Sequence, residues 1–203
     1  MHKKTLIVGL DMSLRSTGIA VYNTTTKNIF TYFYPGRIKD ELMDIKVKCK
    51  WKETEFNVCA LPVCDNQQTM MHRYNRITGD IIEIIKKHGG NSDNTAVYME
   101  GYSYDSVSSR LSNIHELGGI MKYRLYVEGI HVHEVPPSRI KKKFADTGRA
   151  KKTDMFNSFI SKGFPDLLGI FAMQNRHGIP NPVQDIVDAC ALVDISTDII
   201  ETS

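Results

Sequence analysis

The sequence lacks the features that mark several common classes of protein. No apolar run among its 203 residues approaches the roughly 20 that a transmembrane helix needs. The apolar stretch near the amino terminus, residues 6–10, is shorter than a secretory signal requires, and no small-residue cleavage site follows it. We therefore expect an intracellular, soluble protein with no membrane contact.

Cysteines are also few, and their spacing is irregular. Cys49, Cys59, Cys64 and Cys190 do not follow the paired pattern of a disulfide scaffold. A zinc site formed by the first three of them and His72 is an alternative, but no C-x-x-C unit supports it. The spacing favours free thiols.

Excess positive charge is small overall but concentrated in one segment. The net charge of +3 does not by itself indicate a polyanionic partner. In residues 139–152, however, a single acid, Asp146, stands against a cluster of basic residues. These are Arg139, Lys141, Lys142, Lys143, Arg149, Lys151 and Lys152. Such a cluster attracts phosphate groups, although a solvated charged face is the alternative for this segment alone.

The apolar patterns predict an α/β fold in one domain, residues 1–203. Predicted strands cover residues 5–10, 19–22, 28–34, 96–99 and 131–135. Predicted helices cover residues 70–88, 106–128, 154–161 and 183–200. Residues 36–69 have no clean period and are interpreted as an irregular insertion, and residues 163–181 as a loop. The order predicts a mixed five-stranded sheet with flanking helices, as in ribonuclease H-like folds.

Four carboxylates occupy positions where chemistry is expected. Asp11 and Glu100 each end an apolar strand, and neighbouring parallel strands bring such ends to one edge of a sheet. Asp185 and Asp188 are three residues apart on the last helix and share a face. Gathered carboxylates repel each other unless cations bind there. Their oxygen ligands favour magnesium, with manganese as a substitute, and suit two-metal hydrolysis of a phosphodiester.

Each of these acids also has an ordinary interpretation when it is taken alone. An Asp that follows a strand is usually a turn former. Glu100 can form a surface salt bridge, and Asp185 can stabilise the start of a helix through the macrodipole. The combination of all four is what favours a metal site.

Three segments resemble the motifs of RuvC-like Holliday junction resolvases, in the same order along the chain. They are GLDMSLRSTGIAV (residues 9–21), YMEGYSY (98–104) and DIVDACALV (185–193). The stretch from residue 116 to residue 155 is particularly similar to the bacteriophage proteins of this type, and RYNRI (73–77) fits the first helix of the family. Residues 36–69 and 163–181 depart from the cellular resolvases.

The resemblance implies a function and a set of site residues. It implies a crossover junction endodeoxyribonuclease, acting as a homodimer on four-way junctions and leaving 5′-phosphate and 3′-hydroxyl ends. Asp11, Glu100, Asp185 and Asp188 match the catalytic, metal-binding acids. Tyr102 and Tyr104 lie where the family places an aromatic residue that stacks on a base, although packing in a loop is an equal alternative. Candidate contacts to the DNA backbone are Lys151 and Lys152 and, more weakly, Arg139, Lys141, Lys142 and Lys143. A phage-encoded protein acting in the host cell fits the resemblance.

Three other functions remain as alternatives. The first is a less selective nuclease for flaps, replication forks and Y-junctions. The second is a non-catalytic module that binds branched DNA, against which the retention of all four acids argues. The third is an actin-fold phosphotransferase, which needs two such domains and more phosphate loops than 203 residues supply.

Overall fold

The computed structural model describes residues 4–14, 16–35, 44–62, 69–101, 109–174 and 178–201, with side chains outside 109–111 and 198–201. The strands of these residues are β1 (Leu6–Asp11), β2 (Gly18–Asn23), β3 (Asn28–Phe33), β4 (Ile45–Lys48), β5 (Glu55–Ala60), β6 (Thr95–Glu100) and β7 (Val132–Val135). Their α-helices are α1 (Met70–Lys87), α2 (Ser109–Val127), α3 (Pro137–Ala145), α4 (Lys152–Ser161), α5 (Leu167–Ile170) and α6 (Val183–Glu201). A 3-10 turn, Trp51–Glu53, separates β4 from β5.

The strands of the described residues join in one mixed sheet, in the order β4-β5-β3-β2-β1-β6-β7. β1, β2 and β3 form an antiparallel meander. β6 runs parallel to β1, and β7 runs parallel to β6. Because β1 and β6 are parallel neighbours, their carboxyl ends lie side by side at one edge of the sheet.

The sheet separates two apolar layers. Alternate residues of β1 point to opposite faces, so Ile7 packs into one layer while Leu6 and Val8 pack into the other. Helices α3, α4 and α6 cover the face of Ile7, and α1 and α2 cover the opposite face. The sheet is therefore buried on both sides, as the nearly continuous apolar sequence of β1 predicts.

Helix α6 is the most deeply buried helix of the described chain. Nearly every side chain from Val183 to Thr197 is buried, including several polar ones. Apolar residues occur on every side of α6, which is typical of a helix that packs in the interior rather than on the surface. By contrast, α1 is amphipathic and begins at Thr69, whose side chain accepts a hydrogen bond from the backbone N–H of His72.

The prediction of an α/β fold is confirmed, but the prediction of five strands is wrong. The described residues form a seven-stranded sheet, and the two additional strands, β4 and β5, lie in the segment interpreted as an irregular insertion. β5 pairs with β3 in parallel, and β4 forms the edge of the sheet beyond it. The pattern was hard to detect because Asn57 is a buried polar residue within β5, where its side-chain amide donates to the carbonyl of Ile29.

Two helices were also absent from the sequence prediction. The basic run after Pro136 and Pro137 belongs to α3, whose inward side chains are Ile140 and Phe144. The two prolines end β7, but Pro137 also lies in the first turn of a helix, where its fixed φ and missing N–H are tolerated. The segment predicted as a loop, residues 163–181, contains the single helical turn α5.

Two further expectations concern membranes and thiols. Within the described ranges, every helix is too short or too polar to cross a membrane. Cys49, Cys59 and Cys190 are free thiols, as predicted. Cys64 lies outside the described residues, so the structure does not test the alternative zinc site as a whole.

Candidate active site

Two of the four predicted acids lie side by side at the carboxyl ends of β1 and β6. The register pairs Leu10 with Met99, so the next residues, Asp11 and Glu100, end neighbouring parallel strands. Both side chains are partly buried. The sheet itself therefore fixes the relative position of these two carboxylates.

Helix α6 brings the other two acids to the same edge because glycines allow it to lie directly on the sheet. A Cβ atom at Gly18, in β2, would clash with the backbone carbonyl of Asp185. A Cβ atom at Gly9, in β1, would clash with the carbonyl of Ala189. Only glycine permits this approach of backbone to backbone. The contact holds Asp185 and Asp188 beside the ends of β1 and β6.

Burial and mutual repulsion both act on the four acids. Burial is the main reason that the pKa of Asp11 lies well above its usual value, and the charges of Asp188, Glu100 and Asp185 raise it further. Burial also raises the pKa of Asp188. Lys152 opposes the rise for both residues. Four acids in one desolvated place thus favour either protons or a cation.

The pKa values of Glu100 and Asp185 are also raised above their usual values. Burial, followed by the charge of Asp188, raises the pKa of Glu100 to about 7, while Lys141 acts against it. Burial raises the pKa of Asp185 to about 7, although a hydrogen bond from Ser16 acts in the opposite direction. Both groups therefore titrate near neutral pH in the absence of a bound cation.

A layer of polar side chains supports the two acids of α6. The hydroxyl of Ser16, in the turn between β1 and β2, bonds to Asp185 and accepts a hydrogen bond of 2.7 Å from the side-chain amide of Asn181. Nε2 of Gln184 donates to Oδ2 of Asp188 over 2.5 Å. Each acid on the helix is thus oriented by its own neutral partner.

The donor set suits a hard divalent cation such as Mg²⁺, although the side chains do not enclose one in the observed conformation. In the part of the chain that the structure describes, no three His, Cys, Asp or Glu side chains form a group that could hold a metal ion as they stand. Oδ2 of Asp185 is buried with no hydrogen-bond partner among the described residues, which leaves it available to a cation. The residues therefore fit the ion chemically.

A cleft beside the acids is lined by both acidic and basic side chains. Its volume is about 150 Å³, and its polar lining includes Glu100, Gln184, Asp188, Lys141 and Lys152. Lys141 comes from α3, and Lys152 is the first residue of α4. The cleft therefore offers both a place for cations and two ammonium groups for a polyanion.

The other residues predicted to contact DNA are not among those that line the cleft, or they lie outside the described residues. Arg139, Lys142 and Lys143 are exposed on α3. Lys151 immediately precedes α4, and its backbone N–H donates to Asp154 over 2.8 Å. Tyr102 and Tyr104 lie outside the described residues. The DNA-binding role of all these residues stays a prediction.

Sequence reasoning missed the supporting residues Ser16, Asn181 and Gln184. The contact of Gln184 with Asp188 could have been predicted from the sequence. Gln184 lies four residues before Asp188 on a predicted helix, and side chains at this spacing are neighbours. Ser16 and Asn181 are 165 residues apart in sequence, and nothing in their local pattern indicates that they are in contact.

The fold is similar to that of several solved structures. The structure of Thermus thermophilus RuvC matches with a TM-score of 0.56 and 14% sequence identity, covering 96% of this chain and 96% of that one. T. thermophilus RuvC in complex with a Holliday junction substrate matches with a TM-score of 0.49, 13% identity and coverage of 93% and 89%. The yeast mitochondrial Holliday junction resolvase Ydc2 matches with a TM-score of 0.47, 9% identity and coverage of 99% and 85%.

Comparisons of sequence alone find no relative. No protein-family model matches the chain, and no curated protein sequence does so. The similarity to T. thermophilus RuvC extends over nearly the whole of both chains. The chain therefore shares the fold of T. thermophilus RuvC.

Proposed function

We propose that this chain is a single nuclease domain that resolves Holliday junctions and related branched DNA by metal-dependent hydrolysis of phosphodiester bonds. The observation that carries the proposal is the gathering of Asp11, Glu100, Asp185 and Asp188 at one edge of a sheet with the RuvC fold. Branched DNA as the substrate rests on the resemblance of the three sequence motifs to RuvC-like resolvases. The particular similarity to the bacteriophage proteins stays part of the prediction.

In this proposal the acids hold divalent cations, with Mg²⁺ preferred and Mn²⁺ as a substitute. Bound cations would supply activation of a water molecule and neutralisation of the charge that develops on the phosphodiester. The reaction forms a bond from water oxygen to phosphorus and breaks the bond to the 3′-oxygen, which leaves a 5′-phosphate and a 3′-hydroxyl. No nucleophilic Ser or Cys is needed.

The chain's own basic residues draw the substrate to the acids. Lys141 and Lys152 line the cleft and interact electrostatically with Asp188. Their ammonium groups attract the phosphate backbone, which the acids alone would repel. A homodimer that cuts two opposite strands in paired nicks completes the proposal, as the family resemblance implies.

A cleavage assay tests the function. With Mg²⁺, the wild-type protein is expected to nick a synthetic four-way junction at paired sites, and Asp11→Asn or Glu100→Gln is expected to reduce the rate by at least about 10³-fold, because a cation ligand is lost. The exposed Asp93 provides a matched control, since Asp93→Asn changes the charge equally and leaves cleavage intact.

The same assay decides between the neighbouring functions. Flap, fork and Y-junction substrates are incubated beside the four-way junction, and equal rates would indicate the less selective nuclease. Binding of the junction without cleavage in either Mg²⁺ or Mn²⁺ would contradict the nuclease proposal and favour a non-catalytic binding module.

A further inference from the structure

Gln184 is a buried polar residue at the start of α6, in the wall of the cleft. Its side chain is only 4% exposed, and it lines the cleft together with Asp188 and Glu100. An amide taken out of water is costly unless its donor and acceptor groups both find partners. The contacts of this amide therefore indicate why it is there.

Only the donor half of the amide is used. Nε2 of Gln184 donates to Oδ2 of Asp188, four residues further along the same face of the helix. Oε1 of Gln184 is buried with no hydrogen-bond partner among the described residues. A residue selected for packing alone would be apolar here, since a half-satisfied buried amide is worse for stability than an apolar side chain. The hydrogen bond to Asp188 is therefore the contact that accounts for a buried amide at this position.

The surroundings of Asp188 explain what that contact opposes. Lys141 and Lys152 both attract its carboxylate. Its charge also repels those of Asp11 and Glu100. The Asp188 carboxylate therefore has both cations and anions as neighbours. The hydrogen bond from Gln184 occupies its Oδ2 and restricts rotation of the carboxylate among them.

We propose that Gln184 is a positioning residue, which holds Asp188 in the orientation required to bind a cation together with the other acids. This inference rests on the proposed function, because it assigns Asp188 as a cation ligand. It assigns no contact between Gln184 and the substrate. Outer partners of metal ligands typically change metal affinity or activity by about 10- to 100-fold when they are removed.

The test is the affinity of the DNA-free protein for Mn²⁺, measured by electron paramagnetic resonance. Gln184→Met keeps the length of the side chain and removes both polar atoms. It is expected to weaken Mn²⁺ binding by about 10- to 100-fold and to lower kcat for junction cleavage, while KM for the junction changes little. Gln174 is exposed, so Gln174→Met serves as the matched control and leaves both quantities unchanged.

Thermal unfolding separates positioning from packing. The Gln184→Met protein is expected to unfold at or above the wild-type temperature, and Gln184→Leu provides a second variant if the first does not fold. A folded variant that binds Mn²⁺ as tightly as the wild type would overturn the role of Gln184 while leaving the proposed function intact. A wild-type protein that neither binds Mn²⁺ nor cuts branched DNA would instead overturn both.

Discussion

Helix α6 carries two aspartates that are equally buried and yet differ in almost everything else. Asp185 and Asp194 are each 6% exposed. Asp194 has both oxygens occupied, since Oδ1 accepts from Nε1 of Trp51 over 2.7 Å and Oδ2 lies 3.0 Å from Nζ of Lys162. Asp185 lies among other acids, and its Oδ2 has no hydrogen-bond partner in the described part of the chain.

The difference separates a structural carboxylate from a candidate catalytic one. A buried charge that serves the fold is paired with a donor and a cation of the protein itself, as Asp194 is. Asp185 instead keeps one buried oxygen without a hydrogen-bond partner among the described residues, at a cost in stability. Burial alone therefore does not distinguish the two roles; the contacts of each oxygen do.

The largest effect on stability is expected from a substitution that displaces the start of α6. Gly18→Ala places a Cβ against the carbonyl of Asp185, and backbone atoms cannot yield cheaply. We expect a loss of about 3 kcal/mol in the free energy of unfolding, because the start of α6 must move away from the sheet. Cleavage should fall as well, whereas the pairing of Trp51 with Asp194 should persist. Urea unfolding and a junction assay measure the two effects.

The control for this change is another glycine of the chain. Gly119 lies on the exposed side of α2, and a Cβ there would meet nothing within 4 Å. Gly119→Ala is expected to stabilise the protein by up to about 1 kcal/mol, since Ala favours helix. If Gly18→Ala were equally harmless, the close packing of α6 on the sheet would not be what positions Asp185.

The second effect is a dependence of stability on pH. Burial raises the pKa values of Glu100 and Asp185 from 4.5 and 3.8 to about 7 in the folded protein. Protonation of these two groups therefore stabilises the folded protein. This contribution is complete below the pKa values of the unfolded chain and is lost as the pH rises through about 7. With EDTA present, the free energy of unfolding should fall on the order of 3 kcal/mol between pH 5 and pH 8.

Cations and a double variant check this result. Excess Mg²⁺ should reduce the fall, because it stabilises the ionised acids of the folded protein. The double variant Glu100→Gln with Asp185→Asn should flatten the profile recorded in EDTA. An unchanged profile in that variant would show that other groups cause the pH dependence.

The smallest effect is expected at the paired aspartate. Asp194→Asn removes the charge that faces Lys162, so we expect a loss of about 1–2 kcal/mol in stability with little change in cleavage rate. Urea unfolding and the junction assay again provide the measurements. Asp166→Asn, at an exposed position with no side-chain cap hydrogen bond, should change neither. A strong loss of cleavage in Asp194→Asn would remove the distinction between the two aspartates.

Much of the fold was predictable because its apolar residues recur with the clear spacing of a strand or a helix. β1, β2, β3, β6 and β7 and helices α1, α2 and α6 match their predicted positions within a few residues. The proximity of Asp11 and Glu100 also follows from sequence, since both end apolar strands that a parallel pairing aligns. The assignment of these acids as metal ligands stays a prediction.

What could not be predicted depends on contacts between distant segments. β5 pairs with β3 in parallel, and no turn motif in the sequence predicts this pairing. Its buried Asn57 also interrupts the apolar pattern. The hydrogen bond from Asn181 to Ser16 depends on how α6 docks against β1 and β2, which the glycines at positions 9 and 18 permit but do not specify.

The environment of Trp51 gives the protein a built-in optical probe. It is the chain's only tryptophan, its side chain is buried, and it stacks on Phe164 with ring centroids 4.7 Å apart. Its indole is also bonded to Asp194, about 14 Å along α6 from Asp185 at 1.5 Å per residue. Excitation of this one fluorophore therefore reports, without any label, on the far end of the helix that carries two of the candidate catalytic acids.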